Sequence, residues 1–288
     1  MNNESFKPVA LRPLSLDDIV SESITLLLRY FPQFLALAAL ANLPVLFWQW
    51  LTLAAPDQWV SPPRFQTLTE TSSISAFIAY VTEGRNNLNT LMAIGVGVLA
   101  SLLQTVGVSV YGYQRAMGRT MSLATTMQHT LKQFPAMLLG GAMPMAAIIL
   151  VDNYLPKNTW GNLFYIVLLL VLYPRFLFVP ASVALEDASG LTALWRSLRL
   201  VSSAYWRVLG IWLVLELVIA MILLLPTLFI GLSSVNLVLG TPQRLVNFGV
   251  GNLTIFVIDS FRSIALMLLF VDVRRRSDRQ RTVQVAGI

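Results

Sequence analysis

The stretch Ser15-Leu16-Asp17-Asp18-Ile19-Val20-Ser21-Glu22-Ser23-Ile24-Thr25-Leu26-Leu27-Leu28-Arg29-Tyr30-Phe31-Pro32-Gln33-Phe34-Leu35 decides the fold. Leu16, Ile19, Val20, Ile24, Leu27 and Leu28 recur at three- and four-residue steps, while Asp17, Asp18, Ser21, Glu22, Thr25 and Arg29 take the other face. That is the period of an amphipathic helix. Ser15 and Asp18 have the spacing of a capping box, which starts the helix there. A cation, an aromatic residue and a long apolar run follow, which reads as a surface helix leading into a membrane span.

The design recurs from Ser122-Leu123 to Lys132-Gln133-Phe134-Pro135, and from Gly190-Leu191 to Tyr205-Trp206-Arg207-Val208-Leu209. Its apolar stripe is Leu123, Met127 and Leu131 in the second copy and Leu191, Leu194, Trp195, Leu198 and Val201 in the third. Setting Leu16 on Leu191 brings Phe31 onto Trp206, and the middle copy is about one helical turn shorter. The chain therefore reads as three parallel repeats, each an interfacial amphipathic helix plus a transmembrane hairpin, at about 15–114, 122–182 and 189–272. Parallel copies fit a pseudo-threefold axis and not the inverted repeats common in alternating-access transporters. The surface helices either grip the inner leaflet, dock a partner, or pack as elbows under the bundle.

Of the 288 residues, 56% are hydrophobic and 12% charged, with a mean hydropathy of +0.69. Soluble domains carry about 25% charged residues, so most of this surface must face lipid or other helices. Six stretches are long and apolar enough to cross a hydrocarbon core of about 30 Å. They are Phe34 to Leu53, Leu91 to Tyr111, Phe134 to Val151, Gly161 to Ala181, Val208 to Ile230 and Phe248 to Val271. The expected fold is an all-α integral membrane protein of six transmembrane helices in one domain, 1–272, with a basic tail at 273–288.

Fourteen of the 20 Lys and Arg residues fall on one side of these spans, with only Arg64, Arg85, Lys157 and Arg244 on the other. The positive-inside rule then puts both termini in the cytoplasm and the protein in the cytoplasmic membrane. The net charge of +6 faces anionic inner-leaflet lipid, and no groove-reading motif points to nucleic acid. Trp48, Trp50 and Trp160 at outer ends, and Trp195 and Trp206 at inner ones, are the expected interfacial anchors. The N-terminus shows no signal peptide, so the first span is expected to direct insertion.

Arg175, Glu216, Asp259 and Arg262 lie deep within the spans, and counting from the span ends puts all four near mid-depth. Ionisable residues there are costly and face the bundle interior or a wet cavity, which makes them the candidate intramembrane site. Two cations and two anions can neutralise one another, either to fix helix packing or to line a polar pathway. Pro174, Pro180 and Pro226 lie nearby and can kink the helices.

With no Cys and one His, the chain has no disulfide, thiol chemistry or ordinary zinc site. No cofactor is expected. His129 sits on the polar side of the middle surface helix with no carboxylate near it in sequence, as a solvated residue does. Gly95-Val96-Gly97-Val98-Leu99-Ala100 matches a dinucleotide-binding spacing but falls inside a span, where small residues read as a close-packing face. Asn252-Leu253-Thr254 matches a glycosylation sequon at the mouth of the last span, where a glycan would obstruct insertion. The outer loop 54–88 gives no decision between function and disorder.

Val183-Ala184-Leu185-Glu186-Asp187, Ala193-Leu194-Trp195-Arg196-Ser197-Leu198-Arg199-Leu200-Val201 and Trp206-Arg207-Val208-Leu209 resemble a bacterial and archaeal membrane family. It is the membrane-domain family of glycerophosphoryl diester phosphodiesterases, with YciC-like inner-membrane proteins as relatives. Leu14-Ser15-Leu16-Asp17-Asp18-Ile19 and Phe270-Val271-Asp272-Val273-Arg274 look like its opening and closing motifs, so the likeness spans about Arg12 to Arg276. The resemblance implies the six-span architecture and a link to membrane lipid or envelope physiology. It does not carry phosphodiesterase activity, because the soluble catalytic domain has no counterpart here.

The expected function is that of a non-enzymatic accessory, scaffold or subunit, with membrane lipids and a membrane protein as partners. The rival is a lipid or small-solute translocator using the mid-membrane charges. An enzyme acting on lipid head groups ranks third, since groups for acid–base work are scarce.

Overall fold

The computed structural model describes residues 13–54, 88–154, 159–235 and 241–286, and all the described elements are helices. In chain order they are α1 (Leu16–Arg29), α2 (Phe31–Ala41), α3 (Leu43–Ala54), α4 (Leu88–Ala116) and α5 (Leu123–Tyr154). Then come α6 (Thr159–Phe176), α7 (Val179–Glu186), α8 (Gly190–Ser203), α9 (Tyr205–Val235) and α10 (Thr241–Ala286). The loop 55–87 lies outside the described residues.

The opening helix starts where its sequence says. The Ser15 hydroxyl accepts from the Asp18 N–H at 3.1 Å while the Asp18 carboxylate accepts from the Ser15 N–H at 2.8 Å, a complete capping box. It ends at Tyr30, whose backbone (φ −117°, ψ 29°) leaves the helix, and α2 departs at 85° to it. Pro32 sits in the first turn of α2, where its missing N–H costs no helical bond. A one-residue break of similar backbone conformation separates α8 from α9. Both α1 and α8 have 14 residues, follow a serine cap, and break at Tyr30 and at Ala204 (φ −137°, ψ 29°).

These caps place Leu16 over Gly190 and Phe31 over Tyr205, one residue away from the register the apolar stripes suggest. Gly190, Ala193, Ser197 and Val201 are the buried positions of α8, while Leu191 and Trp195 point outward. The small side chains let α8 approach its neighbour closely. A Cβ on Gly190 would lie 2.5 Å from the Ala136 carbonyl oxygen and 2.7 Å from the Gly140 nitrogen of α5. Both surface helices therefore have three faces: small or apolar toward the bundle, large apolar to the side (Ile24 and Leu28; Leu191 and Trp195), and charged beyond.

The middle copy differs. Its amphipathic part and its apolar part form one unbroken helix, α5, with no elbow between them. The first predicted span also departs from expectation, because Asn42 (φ −94°, ψ 5°) divides it into α2 and α3. Gly95-Val96-Gly97 lies within α4, and Asn252 is buried in α10, which removes the nucleotide-binding and glycosylation readings.

Among the described residues, four segments are long and apolar enough to cross a membrane: Gly95–Ala116, Leu163–Glu186, Tyr205–Leu224 and Gly249–Arg279. The bent pair α1–α2 is a fifth if counted as one. Of the four, the α10 segment is the most enclosed and the α9 segment the most open. One core gathers Phe34, Tyr111, Phe178, Leu215, Phe261 and Phe270 around α4 and α10; a second gathers Val106, Met137, Val183 and Ala193 between α4, α5, α7 and α8.

Candidate functional site

Glu216 on α9 is one turn beyond Trp212, whose indole N–H donates to Glu216 Oε1 at 3.0 Å. The other carboxylate oxygen accepts from Arg262 Nη2 of α10 at 2.6 Å. Asp259, three residues before Arg262 on the same helix, has its Oδ1 3.9 Å from Arg262 Nη1. Tyr173 of α6 packs on Trp212 with ring centroids 4.9 Å apart, so three helices converge here. The side chains of Glu216 and Arg262 are 13% and 14% exposed, and that of Asp259 only 5%. At about 1.5 Å per residue, Glu216 stands some 18 Å beyond the break at Ala204, within the apolar segment Tyr205–Leu224.

Arg175 does not join them. The last turn of α6 carries it, its guanidinium carbon lies 6.0 Å from the Tyr205 ring centroid at the start of α9, and its carbonyl accepts from Ser197 Oγ at 2.6 Å. Counting residues placed it with the others, but it lies at the elbow end, beside Tyr205 and Ser197. Of the four predicted residues, three meet. They carry two carboxylates and one guanidinium.

A neutral pair sits in the corresponding place of the first elbow. Asn42 Nδ2 donates to Gln104 Oε1 of α4 at 2.6 Å and to the Ala38 carbonyl at 2.8 Å. Asn42 is 8% exposed and Gln104 1%. A search for ionisable residues passes this pair over; the readable signal is two amides in otherwise apolar runs.

Two carboxylates fasten one end of the bundle, where the arginines gather. Asp272 accepts from the Leu14 N–H at 2.9 Å, from Arg207 Nη2 at 3.0 Å and from Arg276 Nε at 2.9 Å. Arg207 and Arg276 also donate to the Leu14 carbonyl. The segment before α1 is thereby clasped to α9 and α10. Glu186, at the end of α7, binds Arg196 of α8 and, at 2.6 Å, Arg274 of α10. Charge-assisted bonds of this kind are the strong ones, and both carboxylates are nearly enclosed. Nearby, Arg115 stands 4.9 Å from both the Tyr30 and Tyr111 ring centroids and donates to the Tyr111 hydroxyl, bracing the first elbow.

His129 is more engaged than its sequence neighbours suggest. Its Nε2 lies 3.0 Å from Gln133 Nε2 and 3.9 Å from the Asp187 carboxylate, and Gln133 donates to that same carboxylate. Asp187 is distant in sequence and is swung in by its left-handed backbone (φ 49°). Among the tryptophans, Trp50, Trp195 and Trp206 are exposed, as anchors require, but Trp48 is 9% exposed and faces the bundle. The Trp160 side chain lies outside the described residues. Among the described residues, no group of three or more His, Asp or Glu side chains is placed to hold a metal.

Helix lengths and apolarity define the class: an all-helical, multi-pass membrane protein. No family model, curated protein or solved structure matches the chain.

Proposed function

We propose that this chain is a non-enzymatic accessory, scaffold or subunit of the cytoplasmic membrane, with both termini in the cytoplasm and six spans in three parallel repeats. The resemblance to the membrane domains of glycerophosphoryl diester phosphodiesterases enters the proposal as architecture and as a tie to lipid or envelope physiology. The observation that carries it is the clasp at Asp272, which ties the segment before α1 to α9 and α10. Such ties, together with Glu186 bridging α8 and α10, suit a rigid body better than one that opens and closes. The surface helices offer exposed apolar side chains, Ile24 and Leu28 on α1 and Leu191 and Trp195 on α8, to inner-leaflet lipid or a membrane-protein partner.

Two experiments test this reading. Glu216→Gln with Arg262→Leu replaces the buried ion pair by a neutral one; a scaffold folds, inserts and keeps its partners by native mass spectrometry of gently extracted protein. Loss of those partners in a well-folded double variant defeats it. Because the chain has no cysteine, single cysteines at Ser72 and Ser277 report topology directly. An impermeant thiol reagent labels the first from outside and the second from inside; labelling of both from one side defeats the six-span reading.

A translocator is the second reading, favoured by one observation. Glu216, Asp259 and Arg262 gather three ionisable side chains on two adjoining helices, within segments apolar enough to cross a membrane.

A further inference from the structure

We infer that Arg275 and the cleft beside it bind one anionic phospholipid, with the phosphate on the guanidinium and an acyl chain along the cleft. The cleft lies where the end of α4 meets α10. Ala116, Met267 and Leu268 are its buried floor, while the half-buried Met117 and Val271 form its rim. Leu14, which the Asp272 clasp holds in place, lines it as well. Among the described residues lining it, Arg275 alone is charged.

Three consecutive arginines stand at this end of α10, and they are used differently. Arg274 binds Glu186 and Arg276 binds Asp272, whereas Arg275 between them turns to the cleft. The end of α4 closes on its own N–H groups: the carbonyls of Tyr113, Gln114 and Arg115 accept from Met117, Arg119 and Gly118 at 3.0, 2.8 and 3.0 Å. Gly118 permits this, because its φ of 71° is the left-handed conformation that terminates a helix. The planar donors of Arg275 suit phosphate oxygens, and the apolar floor beside them suits an acyl chain. An amphiphile meets both demands at once. A net-anionic head group is favoured over a zwitterionic one, since the latter would bring its own cation next to the guanidinium.

The test is native mass spectrometry of the full-length protein in mild detergent, titrated with phosphatidylglycerol and with phosphatidylethanolamine of the same palmitoyl and oleoyl chains. The wild type is expected to retain one phosphatidylglycerol with a preference of about fivefold or more, the yield of one basic residue at a lipid head group. Arg275→Gln is expected to abolish that preference, and Arg199→Gln, at an exposed arginine of α8, to leave it intact. Val271→Trp fills the cleft and keeps the guanidinium; it is expected to release the lipid, which it would not do to a free phosphate. A wild type that holds the two lipids equally overturns the inference. So does a preference that survives in Arg275→Gln, falls equally in Arg199→Gln, or persists in Val271→Trp. That the lipid belongs to the inner leaflet rests on the topology proposed above. Retention in detergent is blind to side, and the cysteine labels report the topology separately.

Discussion

Asn42 and Glu216 occupy the same station in two helical runs, each twelve residues beyond the break at Tyr30 or Ala204, and each reaches a neighbouring helix at 2.6 Å. One contact is neutral and the other ionic, which sets different costs for breaking them. Removing one partner of a hydrogen bond between membrane helices costs on average about 0.6 kcal/mol and at most about 1.7. Stranding a buried charge costs about 3–5 kcal/mol. Asn42→Ala is therefore expected to destabilise by about 1 kcal/mol and Arg262→Ala, which takes the guanidinium away from Glu216, by several times more, read as denaturant unfolding of purified protein. Equal losses would show that the two pairs are not energetically distinct.

The clasp at Asp272 gives a second contrast. Asp272→Asn removes the charge that three donors share, while Asp278→Asn touches a carboxylate 63% exposed and 3.9 Å from Arg274. The first is expected to cost about 3 kcal/mol or more and the second under about 0.5 kcal/mol. Limited proteolysis adds a local readout. In Asp272→Asn the chain before Ser15 should be cut faster, since Arg207 and Arg276, which hold the Leu14 carbonyl, lose the charge that fixes them.

Close approach of α5 and α8 depends on Gly190 and Gly140. A Cβ on Gly190 meets backbone at 2.5 and 2.7 Å, and backbone cannot step aside as a flexible side chain does. Gly190→Ala is expected to cost about 1–3 kcal/mol or to part the two helices. Gly210, in α9, has nothing within 4 Å of the position a Cβ would take. Gly210→Ala should be neutral or stabilising by up to about 1 kcal/mol through helix propensity. Thermal unfolding of both variants in one detergent checks the pair.

The helices themselves are legible in sequence, because long apolar runs and the Ser15–Asp18 cap act locally. What escapes is set by tertiary contact. The α1 and α8 stripes align best on their leucines, yet packing selects Gly190, Ala193 and Ser197 as the inner face of α8, since between membrane helices close approach matters more than hydrophobicity. Depth counting fails for Arg175 for a related reason: its neighbours Tyr205 and Ser197 come from other helices, which residue counting along one span does not register. Glu216, Asp259 and Arg262 lie on uninterrupted helices, and there the count brings them together. Asp187 and His129 meet only through a left-handed residue that no local pattern announces.

The tryptophans offer a test of where lipid lies. Trp195 and Trp206 are 70% and 80% exposed, at the end of the bundle where Arg196 and Arg207 are bound, whereas Trp48 is 9% exposed. If the lateral faces of α8 and α9 rest in the inner leaflet, variants retaining only Trp195 or only Trp206 should be quenched by lipids brominated near the head group. One retaining only Trp48 should be shielded. The geometry makes the Trp206 outcome the more exacting, because its ring stacks edge-on to Tyr205 at 5.4 Å and Tyr205 is tethered to the Leu170 carbonyl at 2.9 Å. A ring fixed beside such an anchor samples one depth, so its quenching should peak sharply with bromine position. A flat profile would mean that this end of α9 stands in water, and Leu191 and Trp195 would then make a protein contact instead of a lipid one.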